Sequence, residues 1–274
     1  MRYHVFQHQG SREYMEDRFI AQKTDSKTHM FGVFDGHGGD QVAEICREVL
    51  VKLYVEAARD TNVRGEALRI ALSNLDAYAY QIMQTNALRS GIDSRDLESS
   101  NYMKVGSTAC VVLVNSNGTL DVANIGDSRA IMIDSDGEAV IDLTNDHKPG
   151  TPSERERIQR EGGFVLDVGG IDRVMGNLSV SRSIGDWYLR PWVSADPDIN
   201  AKTYHANGKT NFVVIASDGV WDVMTSREVA NILKTASSGA PLKPEMTKIC
   251  RICRDRGSGD NITIVVVDLA SSHL

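Results

Sequence analysis

Nowhere in its 274 residues does this chain carry the ~20 consecutive apolar residues that a membrane-spanning helix needs. It has no basic-then-apolar leader, and Arg2 to His8 already alternates like a strand, so the first residues are expected to belong to the fold. Basic residues are in deficit. The 30 Lys and Arg against 37 Asp and Glu leave a net charge of −7, whereas a nucleic-acid binder normally presents a basic face. A divalent-metal nuclease or nucleotidase is disfavoured for the same reason, and because no basic or aromatic-rich strip is present. The deficit does not exclude a phosphorylated substrate, since bound cations reverse the local field. Cysteine is scarce, with four residues. Cys250 and Cys253 form a C-x-x-C, but a structural zinc site needs a second Cys or Cys/His pair, and none has suitable spacing. The pair lies on an expected helix, where positions three apart share a face. With Cys46 and Cys110 they read as core thiols of a reducing compartment. Repeats, low-complexity tracts and linkers are also missing, so one domain over residues 1–274 is expected.

What remains is an ordinary globular composition, 41% hydrophobic and 24% charged. Strand-like runs come first, at Tyr3–His8, Asp17–Gln22 and His29–Phe34. Two amphipathic helices follow. Val42, Ile45, Cys46, Val49, Leu50, Leu53, Tyr54 and Ala57 mark the first, and Ala67, Ala71, Leu75, Tyr78 and Ile82 the second. The tyrosines in these stripes read as core. Arg89 to Lys104 is polar and aperiodic, and reads as a surface loop. Strands then recur at Thr108–Val114, Thr119–Asn124, Arg129–Asp134 and Glu138–Asp142, linked by the turn signals Asn115-Ser116-Asn117-Gly118 and Ser135-Asp136-Gly137. Pro152 to Glu161 reads as a short helix capped by Thr151 or Ser153. Phe164 to Gly176 has little pattern and reads as a flexible excursion. Strands are expected again around Val193 and at Phe212–Ser217, helices at Ser226–Thr235 and Pro244–Arg256, and a last strand at Ile262–Val267. Strand clusters broken by helix pairs, without regular β-α alternation, point to α+β with a largely antiparallel core.

Two of the apolar strands end alike. Phe31 to Phe34 runs into Asp35-Gly36-His37-Gly38-Gly39, and Phe212 to Ser217 runs into Asp218-Gly219. A third acid, Asp260, precedes the last strand. A strand end holds an aspartate rigidly, and a neighbouring glycine lets backbone or ligand approach. Clustered carboxylates without a matching basic cluster usually hold hard divalent cations. Each segment has a plainer reading. Asp35 could cap a helix, Asp-Gly after a strand is a common turn, and Arg12 to Asp17 could be a solvated charge run. Asp127, in Gly126-Asp127-Ser128, could sit at a tight turn between strands.

Together the segments resemble the metal-dependent serine/threonine protein phosphatases of the PPM or type-2C family, in the family's order from Gln9 to Val267. The matching motifs are Arg12…Met15-Glu16-Asp17, Phe34-Asp35-Gly36-His37-Gly38-Gly39, Gly106-Ser107-Thr108-Ala109 and Asn124…Gly126-Asp127-Ser128-Arg129-Ala130. They continue with Leu143-Thr144…Asp146-His147, Glu154-Arg155…Arg157-Ile158, Val180 to Asp186, Ala216-Ser217-Asp218-Gly219…Trp221-Asp222 and Gly259-Asp260-Asn261-Ile262-Thr263. The resemblance implies two packed antiparallel β-sheets, a β-sandwich, flanked by pairs of antiparallel helices (α-β-β-α). It implies two Mg2+ or Mn2+ ions. Asp35 would bridge them, the Gly36 carbonyl would ligate the first, and Asp218 and Asp260 would ligate the second. Glu16 and Asp17 would lie near the pair, partly through water. Asp127 matches a weaker third metal position of some members. Arg12 would grip the substrate phosphate, and His37 would be the general acid.

Such a centre suits the chemistry. Two dications roughly 3.5–4 Å apart can lower the pKa of a bridging water and screen the phosphate charge. The mechanism implied is attack by that bridging hydroxide on phosphoserine or phosphothreonine, with no covalent intermediate. No cysteine sits in a phosphate-cradling loop to support a cysteinyl route. The rival reading is a pseudophosphatase or phosphoprotein-binding scaffold, which usually loses metal acids; here Asp35, Asp218, Asp260, Arg12 and His37 are all present. Residues 148–175 lie where the family carries a variable flap. Plant members that bind hormone receptors have a tryptophan there, and Val168 stands nearest its place. Trp187 and Trp192 are expected to pack against the sheet or rim. The expected partners are phosphorylated proteins, with no nucleic acid and no membrane. The expected state is a monomer, intracellular, cytoplasmic or nuclear.

Overall fold

The computed structural model describes residues 1–61, 63–134, 139–203, 212–234 and 242–269. Two five-stranded antiparallel sheets face each other. One is ordered β1 (Arg2–His8), β15 (Ile262–Asp268), β14 (Phe212–Ala216), β8 (Arg129–Ile133), β9 (Val140–Asp142). The other is ordered β13 (Asp198–Thr203), β7 (Thr119–Ile125), β6 (Ala109–Asn115), β3 (Thr28–Phe34), β2 (Arg18–Lys23). Successive side chains of a strand point to opposite faces. Cys110, Val112 and Val114 of β6 therefore meet Val213, Ile215, Val265 and Val267 between the sheets. Val111 and Leu113 turn the other way, under helices α1 (Gln41–Asp60) and α2 (Arg64–Arg89). Val214, Ala216, Ile264 and Val266 likewise turn outward, under α4 (Asp218–Trp221), α5 (Ser226–Leu233) and α6 (Lys243–Asp255). Both faces of the central strands are covered, which is why they read as unbroken apolar runs. The layers are helix, sheet, sheet, helix, as the resemblance implies.

Smaller elements surround one end of the sandwich. A three-stranded sheet is ordered β12 (Ile184–Gly185), β5 (Gly106–Ser107), β4 (Gly36–His37). Helix α3 (Pro152–Arg160) precedes a hairpin of β10 (Val165–Val168) and β11 (Ile171–Val174). Ile158, Val174, Leu189 and Val193 form a separate small core there. All four cysteines are free and buried, and burial pushes the Cys253 thiol up to about 11. No helix among the described residues is long and apolar enough to cross a membrane.

Several local expectations are corrected. Phe164 to Gly176 is not a patternless excursion but the β10–β11 hairpin, turning at Gly169-Gly170. Exposed strands need no apolar alternation, so the sequence signal was weak. The strand expected near Val193 is a buried loop residue, while the polar edge strand β13 pairs with β7 through its backbone alone. Tyr54 is core as expected, but Tyr78 is 40% exposed. The buried seam of α2 continues from Leu75 through Ala79 and Met83 instead. Arg89 to Lys104 buries Leu97 and Met103 and includes a 3-10 turn. Thr151 occupies the N-cap position of α3, but its hydroxyl donates back to Lys148 O at 2.8 Å and caps nothing. The Ser135-Asp136-Gly137 turn, residue 138 and residue 235 lie outside the described residues.

Leu72 is fully buried where α2 packs on α1 and the sheet. Truncating such a side chain removes transfer free energy and leaves a cavity. Leu72→Ala should therefore lower the unfolding free energy by about 2–5 kcal/mol in urea denaturation. A loss below ~1 kcal/mol would show that the helix pair does not depend on this contact.

Candidate active site

The ends of β3 and β14 and the loop before β15 meet at a cleft of about 280 Å³. Arg12, Glu16, Asp35, Gly36, His37, Asp127, Asp218 and Asp260 all line it. Asp17 lies behind them, 1% exposed. The nine residues singled out in the sequence are thus gathered in one place. A larger surface cleft, about 690 Å³, is lined by Arg129, Asp142, Trp221 and Arg256 among others. It lacks the acid cluster, so chemistry rather than size identifies the site.

The acids crowd one another. Burial, and then the charges of Asp218, Asp17 and Asp127, drive Asp35 well above the usual carboxylate range. Asp218 is driven the same way by burial, Asp127, Asp222 and Asp260. Burial lifts Asp17 to about 6, although hydrogen bonds from Thr263 and Ser217 oppose it. Carboxylates forced together hold protons unless a cation takes their place. The donors are all oxygen, which suits magnesium or manganese. Asp17 Oδ1 is buried without a hydrogen-bond partner, and Gly36 has no room for a side chain, since a Cβ would stand 2.7 Å from the Glu16 carbonyl. These features fit a hard divalent centre. Among the described residues no three His, Cys, Asp or Glu side chains are so placed that they could hold a metal ion together as they stand. Arg12 Nη2 donates to Asp260 Oδ2 at 2.5 Å and takes up one of the acids.

Uncharged residues hold the charged ones, and sequence reading assigned them no role. Asn261 Oδ1 accepts from Glu16 N at 2.7 Å, while its Nδ2 donates to Gln9 O and Tyr14 O at 2.7 and 3.0 Å. One side chain thus fastens the loop of Arg12 and Glu16 to the loop of Asp260. Thr108 Oγ1 accepts from Asp35 N at 3.0 Å and meets Ser128 Oγ at 2.7 Å. Ser217 Oγ donates to Asp17 Oδ2 at 2.8 Å. Lys148 was missed altogether. Its Nζ lies 3.0 Å from Asp127 and 2.8 Å from Asp222. Burial still outweighs that ammonium and leaves the Asp127 carboxyl raised.

His37 stands at the rim, its Nε2 2.6 Å from Asp186 Oδ2. Burial alone would lower its pKa, but the Asp186 carboxylate prevails and raises it. Arg173, Leu178, Ser179 and Val180 complete the wall. That wall is braced from behind by Glu154, 3% exposed. Its carboxylate accepts from Arg182 Nη2 at 2.7 Å and Arg157 Nη2 at 3.0 Å. Trp187 packs edge-on against Tyr80, and Trp192 donates to Glu161 O. Val168, at the hairpin, is 44% exposed.

An acidic floor of hard oxygens, with an arginine at its mouth and a histidine at its rim, has the chemistry that a phosphoryl group among divalent cations would need. Comparison with known proteins agrees. The model of the family described as protein phosphatase 2C matches residues 1–262. "Probable protein phosphatase 2C 2" of Arabidopsis thaliana is 34% identical over 274 residues, covering 97% of this chain and 67% of that protein. "Protein phosphatase 1L" of Bos taurus is 35% identical over 276 residues, covering 98% and 72%. The chain spans roughly two thirds of the length of such relatives. Among solved structures, serine-threonine phosphatase 2C from Toxoplasma gondii superposes with a TM-score of 0.82 at 23% identity, covering 97% of this chain and 94% of that one. The chain belongs to the protein phosphatase 2C family of metal-dependent serine/threonine protein phosphatases.

The Glu154 brace has a pH signature. Burial opposes its ionisation, but hydrogen bonds from Arg182 and Arg157 prevail and hold it at about 2, against an ordinary 4.5. A carboxylate depressed in the folded state contributes stability above its ordinary pKa, and that contribution is lost as pH falls toward the folded value. Glu154→Gln should cost about 3 kcal/mol at pH 7. The gap from the parent protein should close between about pH 4.5 and pH 2. Urea denaturation across that range measures it, and a pH-independent gap would rule the ion pairs out as its source.

Proposed function

We propose that this chain hydrolyses phosphoserine and phosphothreonine in protein substrates at the acidic cleft. The observation that carries the proposal is the convergence of Asp35, Asp218 and Asp260 beside Arg12 and His37 in one cleft. Two magnesium or manganese ions, held there by Asp35, the Gly36 carbonyl, Asp218 and Asp260 with Glu16 and Asp17 nearby, would activate water toward phosphorus and offset the phosphate's charge. Direct attack without a covalent intermediate is the reading this arrangement supports: among the described residues no cysteine lines the cleft, its carboxylates are the proposed metal ligands, and the Thr108 hydroxyl is bound to Asp35 and Ser128.

This chain's residues have separate tasks. Arg12 is 57% exposed at its side chain, so it can leave Asp260 and turn its paired donors to two phosphate oxygens. Serine and threonine alkoxides leave poorly without a proton, and His37 supplies it. Asp127 is the weakest ligand. Lys148 already neutralises it, so a third divalent ion would have to displace an ammonium. We assign residues 1–274 to one catalytic domain, with residues 148–175 as its flap, acting as a monomer inside the cell on phosphoproteins rather than on nucleic acid or membrane.

Two outcomes test the reading. Asp35→Asn should reduce turnover of a phosphothreonine peptide by about 10²–10³-fold or more. The same variant should unfold in chelator at an equal or higher urea concentration, because one charge of a crowded cluster is gone. A near-normal rate would remove the central claim. Separately, EDTA should stop turnover, and manganese or magnesium should restore it. Full activity in chelator, or a phosphorylated enzyme residue trapped during turnover, would contradict the mechanism.

A further inference from the structure

His37 does not reach the cleft unsupported. The carboxylate at its Nε2 belongs to Asp186, a residue with no solvent exposure. The small sheet β12–β5–β4 places Gly185 and His37 on either side of Gly106. Backbone pairing therefore sets the separation of histidine and aspartate. Gly106 is needed between them, because a Cβ there would overlap both Asp186 Oδ2 and His37 Nε2. Asp186 has φ 49°, in the left-handed region that side chains other than Asn and Asp seldom occupy. Its backbone is held there by donation from Asp186 N to Val105 O at 3.1 Å. Ser183 Oγ donates to the same Oδ2 at 2.6 Å and fixes the carboxylate's rotation.

The pair makes little sense as a brace for the fold. Asp186 Oδ1 is buried without a partner, and a buried carboxylate whose cationic partner is an imidazole is a poor source of stability. The strained backbone, the omitted Cβ and the serine donor all serve one contact.

We propose that Asp186 is the positioning residue of His37. It accepts the Nε2 proton, fixes the ring's tautomer and tilt, and leaves Nδ1 as the nitrogen that serves the substrate. The proposal rests on the reading of His37 as proton donor. As the P–O bond breaks, its electron pair passes to the serine or threonine oxygen, and the Nδ1 proton joins that oxygen. His37 is left neutral with its remaining proton on Nε2, held by Asp186, until solvent returns the other. Without the carboxylate, the neutral ring could carry its proton on either nitrogen and turn away from the leaving oxygen.

The test compares two substrates with the manganese-loaded protein. A phosphothreonine peptide must expel an alkoxide, which needs a proton; p-nitrophenyl phosphate expels a stable phenolate, which does not. Asp186→Asn keeps the shape and tolerates the left-handed backbone. Asp186→Gly removes the carboxylate while relieving the backbone, and so guards against a folding failure. Both should lose about tenfold or more kcat on the peptide beyond any loss on p-nitrophenyl phosphate. KM for each substrate should move by less than about threefold. His37→Gln should show the same selective loss, and the double variant should be no worse than the single. With magnesium in place of the paramagnetic manganese, long-range 1H–15N NMR should place the neutral ring's proton on Nε2 of His37 in the parent and move it in Asp186→Asn. Equal losses on both substrates, or an unmoved tautomer, would reduce Asp186 to a brace and overturn the proposal. A selective loss in His37→Gln but not in the Asp186 variants would remove the positioning role alone. No selectivity in His37→Gln would instead remove the proton-donor reading itself.

Discussion

Like charges must be held together here against their mutual repulsion, and the rest of the molecule is organised around that constraint. Asp17, Asp35, Asp127, Asp218 and Asp260 would separate in a flexible chain. They stay because the elements beside them hold the segments that carry them. Asp35 ends a strand with both faces buried, Asp218 opens a helix directly after another, and Asp17 is sealed beneath Ser217. The two sheets supply the rigidity. Arg12 and Lys148 supply partial neutralisation, each pairing with an acid of the cleft. Such a cluster suits dications chemically, because its carboxylates otherwise face protonation or unrelieved repulsion.

The sandwich was readable because its central strands are apolar on both faces and its long helices repeat at three and four residues. The pattern failed where structure does not depend on burial. Strand β13 carries the polar residues Asp198, Asn200 and Lys202 and pairs with β7 through backbone hydrogen bonds, which any residues can make. The β10–β11 hairpin exposes Leu166, Val168 and Ile171, so no alternation distinguishes it from a loop. Tyr78 shows a related limit. A helical stripe can advance by three or four residues at each turn, and only packing against α1 decides that Ala79 is buried and Tyr78 is not.

The candidate site was more legible than the fold. Acids beside glycines at strand ends are chemically conspicuous, and the order of the motifs tied them together. Residues that act through others were not conspicuous. Asn261 holds two loops by one amide, Thr108 holds Asp35 by its backbone nitrogen, and Asp186 meets His37 only because Gly106 lets two segments close in. None of these pairings has a local sequence signature, since the partners are 73 to 252 residues apart. Lys148 is a further case. A lysine in a polar stretch is ordinarily solvated, and only three dimensions bring its ammonium between Asp127 and Asp222.

The pairing of β1 with β15 has a kinetic consequence. Arg2 lies opposite Asp268, and Arg12 meets Asp260 across a separation of 248 residues. Contacts of such high order form late, because the loop-closure entropy precedes the reward. A ribosome-bound chain can assemble the β2–β3–β6–β7 side and its two long helices while the other sheet still lacks β14 and β15. Until those strands arrive, the acid cluster lacks Asp218 and Asp260, which flank β14 and β15. The candidate site is therefore assembled by the contacts of longest range rather than by the half of the sandwich that can form first.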